Sequence, residues 1–228
     1  MAIKVFYHVY AASPEVEVLI RDMLEKVIFS GLYEAAEGVH CFLAGKRPGK
    51  AFDAARSCLE SFGGRIRIEA MESREKSGER FTLLRMPAFV EPSDKILYLH
   101  AKGCTRIRKP EFPWIRDWIS MMQYHLIAGH RNCVDHLDSH DVVGTDYHPG
   151  NDFTRGRPHF SGNFWWARGD YFLSLDAADM DGDYLGPEMF LFKKKPRFHS
   201  LRDSATNHYK DPYPYSRYLD RRGISSPT

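Results

Sequence analysis

Apolar positions in the first half of the chain follow two alternating rhythms. Ile3 to Val9 is a run of β-branched and aromatic residues, the composition of a strand. Val16, Leu19, Ile20, Met23, Leu24, Val27 and Ile28 then recur at i, i+3, i+4 and i+7, which places them on one face of a helix. Pro14 suits the first helical position, Ser13 before it is the expected N-cap, and Gly31 fits the end. Val39 to Leu43 predicts a second strand stopped by Gly45, and Ala51 to Phe62 a helix closed by Gly63-Gly64. Arg65 to Ala70 alternates charge with isoleucine, as a strand near a sheet edge does. Glu79 to Phe89 predicts a helix truncated by Pro87, and Lys95 to Leu99 a fourth strand. Such strand–helix alternation predicts a parallel sheet covered by helices.

After Gly103 the rhythm changes. Trp114 to Leu137 predicts an amphipathic helix interrupted near Gly129, followed by a short strand over Asp141 to Asp146. Residues 147–158 are rich in Pro, Gly, Asn and Asp and predict a loop; long loops in compact domains are often functional. Phe160 to Trp166 is strand-like, Tyr171 to Leu175 helical, and Pro187 opens a turn of helix running to Phe192. From His199 onward periodicity is weak. With no repeat and no linker, the chain is expected to form a single α/β domain. Its parts are a first half (1–103), a second half (104–198) and a tail (199–228).

Composition narrows the function classes. The 228 residues suffice for a substantial core, and 43% apolar with 27% charged is ordinary for a soluble globular protein. A net charge of +2 lacks the basic excess of a nucleic-acid binder. No run approaches the ~18 apolar residues of a transmembrane segment, and Met1-Ala-Ile-Lys leads straight into a strand with no signal peptide. Cys41, Cys58, Cys104 and Cys133 lack CxxC spacing, which disfavours zinc and a disulfide framework. A cytoplasmic protein with reduced thiols is the expectation.

Two segments carry candidate chemistry. Lys95-Ile-Leu-Tyr-Leu-His-Ala-Lys-Gly103 is an apolar strand ending in His100, Lys102 and Gly103. Ligands of open α/β sheets sit beyond the carboxyl ends of strands. His100 and Lys102, two apart, face the same side of an extended chain, and a lysine ammonium in a cleft neutralises phosphate. The second segment is His159 to Arg168. Gly162 allows close backbone approach and Asn163 offers donor and acceptor. Of Trp165 and Trp166, one is expected in the core and the other at the site. Asp146 and His148 could chelate a cation or bind sugar hydroxyls, and Glu188 begins a helix where the dipole stabilises a carboxylate. His199 and His208 could close over a ligand. Asp179-Met-Asp-Gly-Asp183 fails as a calcium loop, because Tyr184 stands at the glycine position and Phe190 at the twelfth.

With Tyr98-Leu-His-Ala-Lys-Gly103 and Ser161-Gly-Asn-Phe-Trp-Trp166 in place, the chain resembles a GT-A type nucleotide-sugar glycosyltransferase. More narrowly, it resembles small bacterial and large-DNA-virus enzymes with Tyr-x-His-(Thr/Ala)-Lys-Gly and Gly-Asn-Phe-Trp-Trp motifs. The resemblance implies a Rossmann-like sheet and a nucleotide-diphosphate sugar donor, with a carbohydrate acceptor in glycan or surface-polysaccharide assembly. Tyr10 would contact the base, and Lys102 with Arg168 the diphosphate. His100, Gly103, Gly162, Asn163 and the tryptophans would bind substrate, and Glu188 would be the general base. Such enzymes usually carry Asp-x-Asp for Mn²⁺ or Mg²⁺, where this chain has His100-Ala101-Lys102. Either Asp146 and His148 hold the metal, or Lys102 replaces its charge, and weak or absent metal dependence is the expectation. Two rival readings are a catalytically silent carbohydrate- or nucleotide-binding module, and a metal-dependent phosphohydrolase using Asp146, His148 and His199.

Overall fold

The computed structural model describes residues 1–73 and 78–219. In chain order the first half comprises β1 (Ile3–Tyr10), α1 (Val16–Phe29), α2 (Leu32–Ala35), β2 (Gly38–Ala44), α3 (Lys50–Phe62), β3 (Ile66–Glu72), α4 (Arg80–Leu83) and β4 (Lys95–His100). The second half adds α5 (Phe112–Gln123), α6 (His130–His136), β5 (Val142–Gly144), β6 (Tyr147–His148), β7 (His159–Phe160) and β8 (Trp165–Arg168). It closes with α7 (Gly169–Ser174), α8 (Gly186–Met189) and β9 (Phe198–Ser200). Seven strands form one sheet in the order β3-β2-β1-β4-β8-β5-β9, and β6 pairs with β7 apart from it. Strands β1 to β4 are mutually parallel, β8 runs antiparallel to both β4 and β5, and β9 lies parallel to β5. The expected mixed α/β domain with a mostly parallel sheet is therefore present, with the charged strand β3 at one edge.

Strand pleating distributes side chains between two cores. Val5, Tyr7 and Val9 of β1, Leu97 and Leu99 of β4, and Trp166 of β8 pack with the apolar faces of α1, α3 and α5. Phe6, Phe42, Ile96, Tyr98 and Trp165 point the other way. There Phe81 of α4, Met86, Phe172 of α7 and Phe190 to Phe192 cover them. Adjacent tryptophans on opposite faces thus serve both layers. No helix among the described residues is long and apolar enough to cross a membrane, and all four cysteines are free thiols.

Several expected elements shift. Helix α1 starts at Val16 behind a tight turn, where Val16 N donates to Ser13 O, and no side chain caps it. The Glu79–Phe89 helix divides into α4 and a 3₁₀ turn at Met86–Phe89 with Pro87 at its start. The Trp114–Leu137 helix divides at a π turn, Tyr124–Ala128, ended by Gly129. The strand expected over Phe160–Trp166 is two strands, β7 and β8, joined by a turn at 161–164. Loop 147–158 contains β6, and the tail contributes β9 to the main sheet.

Gly144 ends β5 opposite Trp165, and a Cβ there would lie 2.4 Å from the buried Phe160 ring. Overpacking of this kind costs about 1–3 kcal/mol. Gly144→Ala is expected to lower the unfolding free energy by that amount, read as a lower urea midpoint at unchanged m-value. An unchanged midpoint would show that this layer of the core repacks freely.

Candidate functional site

Strands β1 and β4 end side by side, with His8 opposite His100. Beyond their carboxyl ends opens a cleft of about 1330 Å³, lined by His8, Tyr10, His100, Lys102, Gly103 and Glu188 among others. This exceeds the roughly 300–1,000 Å³ that suits a drug-sized ligand. Gly103 turns the chain away from β4 at φ 81°, and a Cβ there would press to 3.0 Å from Ile115. The turn keeps Lys102 on the wall, its ammonium 3.8 Å from the centroid of Trp118, a cation–π contact.

His100 faces a carbonyl, so its Nε2–H must donate: it reaches Gly162 O at 2.9 Å. Gly162 N donates in turn to Glu188 Oε1 at 3.1 Å. Asn163, at φ 55°, accepts from Trp165 Nε1 at 2.9 Å and donates through Nδ2 to Glu79 at 2.6 Å. The same Glu79 oxygen accepts from Tyr98 Oη at 2.8 Å. Burial pushes the His8 imidazole down to about 4 against the opposing charge of Glu79, and burial with the nearby Lys102 ammonium pushes His100 down to about 3. Both are neutral at pH 7. Burial alone would raise the Asp146 carboxyl, but hydrogen bonds from His208 Nε2 (2.9 Å) and Ser204 N (2.6 Å) hold it below the usual carboxylate range. The His208 ring stacks on Trp118 at 4.7 Å, which ties the tail to the wall.

Of the residues selected from sequence, Tyr10, His100, Lys102, Gly103, Asp146, His148, Asn163 and Glu188 line the cleft. Gly162 lies just behind it and supplies the peptide that links His100 and Glu188. Three expectations are corrected. Trp165 is buried against Tyr98 and Trp166 donates to Leu126 O at 2.8 Å, so neither indole lines the cleft. Arg168 pairs across the sheet with Lys95, at the opposite end of β4, and bonds Asp170 there. His199 stacks on His136 at 3.8 Å instead of joining Asp146 and His148, so the three groups of the phosphohydrolase reading do not converge. Sequence reasoning missed Glu79 and Trp118. The only sequence signal for Glu79 was its place at a predicted helix start.

A hard divalent cation wants several oxygen ligands. The His100-Ala101-Lys102 position offers a neutral, engaged imidazole and an ammonium. Both oxygens of Asp146 are taken by His208 and Ser204, and His148 Nδ1 accepts from Gly150 N at 2.9 Å. Among the described residues no three His, Cys, Asp or Glu side chains are grouped as a metal set. These residues do not fit a bound Mn²⁺ or Mg²⁺.

An open α/β sheet with a cleft at its carboxyl edge is the class of structure that these elements define. Residues 6–180 match the model of a family described as a domain of unknown function (DUF8361), and the chain belongs to that family. No curated protein matches it. Among solved structures, a 4-diphosphocytidyl-2C-methyl-D-erythritol synthase is similar at 8% identity and a TM-score of 0.43 over 95% of each chain, a likeness too low to speak to activity.

Neutral buried histidines make stability depend on pH. Unfolded, His8 and His100 bind protons below about 6.5; folded, they do so only near 4 and 3. Stability should therefore be full above pH 6.5 and fall as pH drops from there toward 3–4. His8→Asn should flatten this slope by roughly one proton taken up on unfolding, read from urea midpoints between pH 7 and 4. An identical slope would mean that His8 is protonated in the folded state.

Proposed function

We propose that this protein is a glycosyltransferase that moves a sugar from a nucleotide-diphosphate donor to a carbohydrate hydroxyl. One observation carries the reading: a single cleft at the carboxyl ends of β1 and β4 presents an ammonium, Lys102, and an anchored carboxylate, Glu188. Tyr10, the last residue of β1, suits contact with the base. Lys102, steadied on Trp118, supplies positive charge for the diphosphate. Arg106 on the same wall is paired with Glu111 at 2.6 Å and is less available.

In the proposed reaction the acceptor oxygen attacks the anomeric carbon. The bond from that carbon to the diphosphate oxygen breaks, and its electron pair leaves with the diphosphate. The hydroxyl proton passes to Glu188. The Gly162 N–H bond to Oε1 orients this carboxylate and leaves Oε2 for the acceptor. Charge that develops on the departing diphosphate is offset by Lys102, fixed in place before reaction, which is where electrostatic catalysis gains most. That task falls to the ammonium because the position after β4 offers His100 and Lys102 in place of two carboxylates.

Glu188→Gln keeps an oxygen for Gly162 N but cannot take the proton. Turnover with a panel of nucleotide sugars is expected to fall by roughly 10²–10⁴-fold at unchanged melting temperature. Wild-type turnover should persist in EDTA. Full activity of Glu188→Gln would remove the base role, and complete inhibition by EDTA would remove the metal-free role of Lys102.

A further inference from the structure

Six aromatic side chains among the described residues are more than a third exposed, and three of them, Phe153, Tyr184 and Tyr209, stand on the wall of the cleft. Exposures of 76%, 95% and 45% show that these rings serve little in the core. Single exposed rings are common, but three from separate segments meeting at one cleft mark an interaction site. Phe153 comes from the loop between β6 and β7, Tyr184 from the turn before α8, and Tyr209 from the segment after β9.

The segments are braced. Arg157 forks onto Asp181 at 2.7 Å and Asp183 at 3.0 Å, joining the Phe153 loop to the Tyr184 turn. Paired guanidinium–carboxylate bonds of this kind fix geometry as well as charge. Asn151 and Thr154 close the Phe153 loop on itself, with Asn151 N to Thr154 Oγ1 at 2.8 Å and Thr154 N to Asn151 Oδ1 at 3.0 Å. Tyr209 meets Trp118 edge-on at 5.7 Å. Asp181 and Asp183 of the acidic run, which fits no calcium loop, are the carboxylates of this brace.

The chemistry of the wall selects the ligand. Asp183, beside Tyr184, is paired with Arg157, and the Lys102 ammonium is assigned to the donor diphosphate, which leaves the ring-bearing wall to a neutral ligand. Asn151, Ser161, Thr206 and Asn207 also line the cleft. Their amides and hydroxyls both donate and accept, so a ligand rich in hydroxyls finds partners there. Neutral sugars combine such hydroxyls with flat C–H faces that lie on aromatic rings. We infer that Phe153, Tyr184 and Tyr209 form the acceptor subsite and grip a neutral oligosaccharide. This deepens the glycosyltransferase reading of the same cleft and rests on it.

The test is saccharide affinity, measured by NMR titration with cellotetraose, maltotetraose and chitotetraose as probes. The wild-type protein should bind at least one of them. Phe153→Ala/Tyr184→Ala should weaken that binding at least tenfold at unchanged melting temperature. Phe29→Ala, which removes a ring 83% exposed on α1, should leave it unchanged. Equal affinity in the double variant, an equal loss in Phe29→Ala, or no binding of any probe would each overturn the subsite. Donor binding is read separately, as the rise in wild-type melting temperature with nucleoside diphosphates. Its absence would contradict the transferase reading, while a saccharide result confined to the double variant bears on the subsite alone.

Discussion

The peptide of Gly162 is the point on which the cleft depends. Its carbonyl accepts from His100 at the end of β4, and its N–H donates to Glu188 in α8. Two elements nearly ninety positions apart in sequence are thereby referred to one backbone unit. Glycine is required: φ is 95°, and a Cβ would lie 2.6 Å from Met122 Sδ and 3.0 Å from the Trp118 ring. The next residue is also left-handed, and Asn163 tolerates this while bonding Trp165 and Glu79. Burial keeps His100 neutral, so one ring nitrogen donates to the carbonyl without placing a second cation beside Lys102.

A second brace runs through the tail. Lys102 rests on the ring of Trp118, His208 stacks on the same ring, and Asp146 holds His208. This column links the end of β4 to β5 and to the segment following β9. The wall is therefore built from late, irregular parts of the chain laid over a regular α/β frame. Precise placement comes from the frame, and the variable chemistry comes from the loops.

Legibility in the sequence follows the same division. The frame up to β4 was readable because each strand and helix has its own apolar period, and strand β3 betrayed its edge position by alternating charge. His100 and Lys102 were readable because a polar cluster ending an apolar strand points to the carboxyl edge. Arg168 was misplaced for a reason of direction. Strand β8 is the one antiparallel member of the main sheet, so residues after Trp166 travel away from the cleft. Nothing in the local pattern encodes that reversal. Strand β9 spans only Phe198–Ser200, too short for period-two alternation, and it concealed the structural part played by the tail. Glu79 and Trp118 become visible only through long-range contacts, with Tyr98, Asn163 and Lys102.

The central claim is that this carboxyl-edge cleft binds a nucleoside diphosphate through Lys102. It is tested most directly by the melting temperature with millimolar nucleoside diphosphates of each common base, in EDTA, for the wild-type protein and for Lys102→Ala. A ligand bound only by the folded state raises that temperature. A rise with at least one nucleoside diphosphate, abolished in Lys102→Ala, is the expected result. No rise with any of them, or the same rise in both proteins, would contradict it.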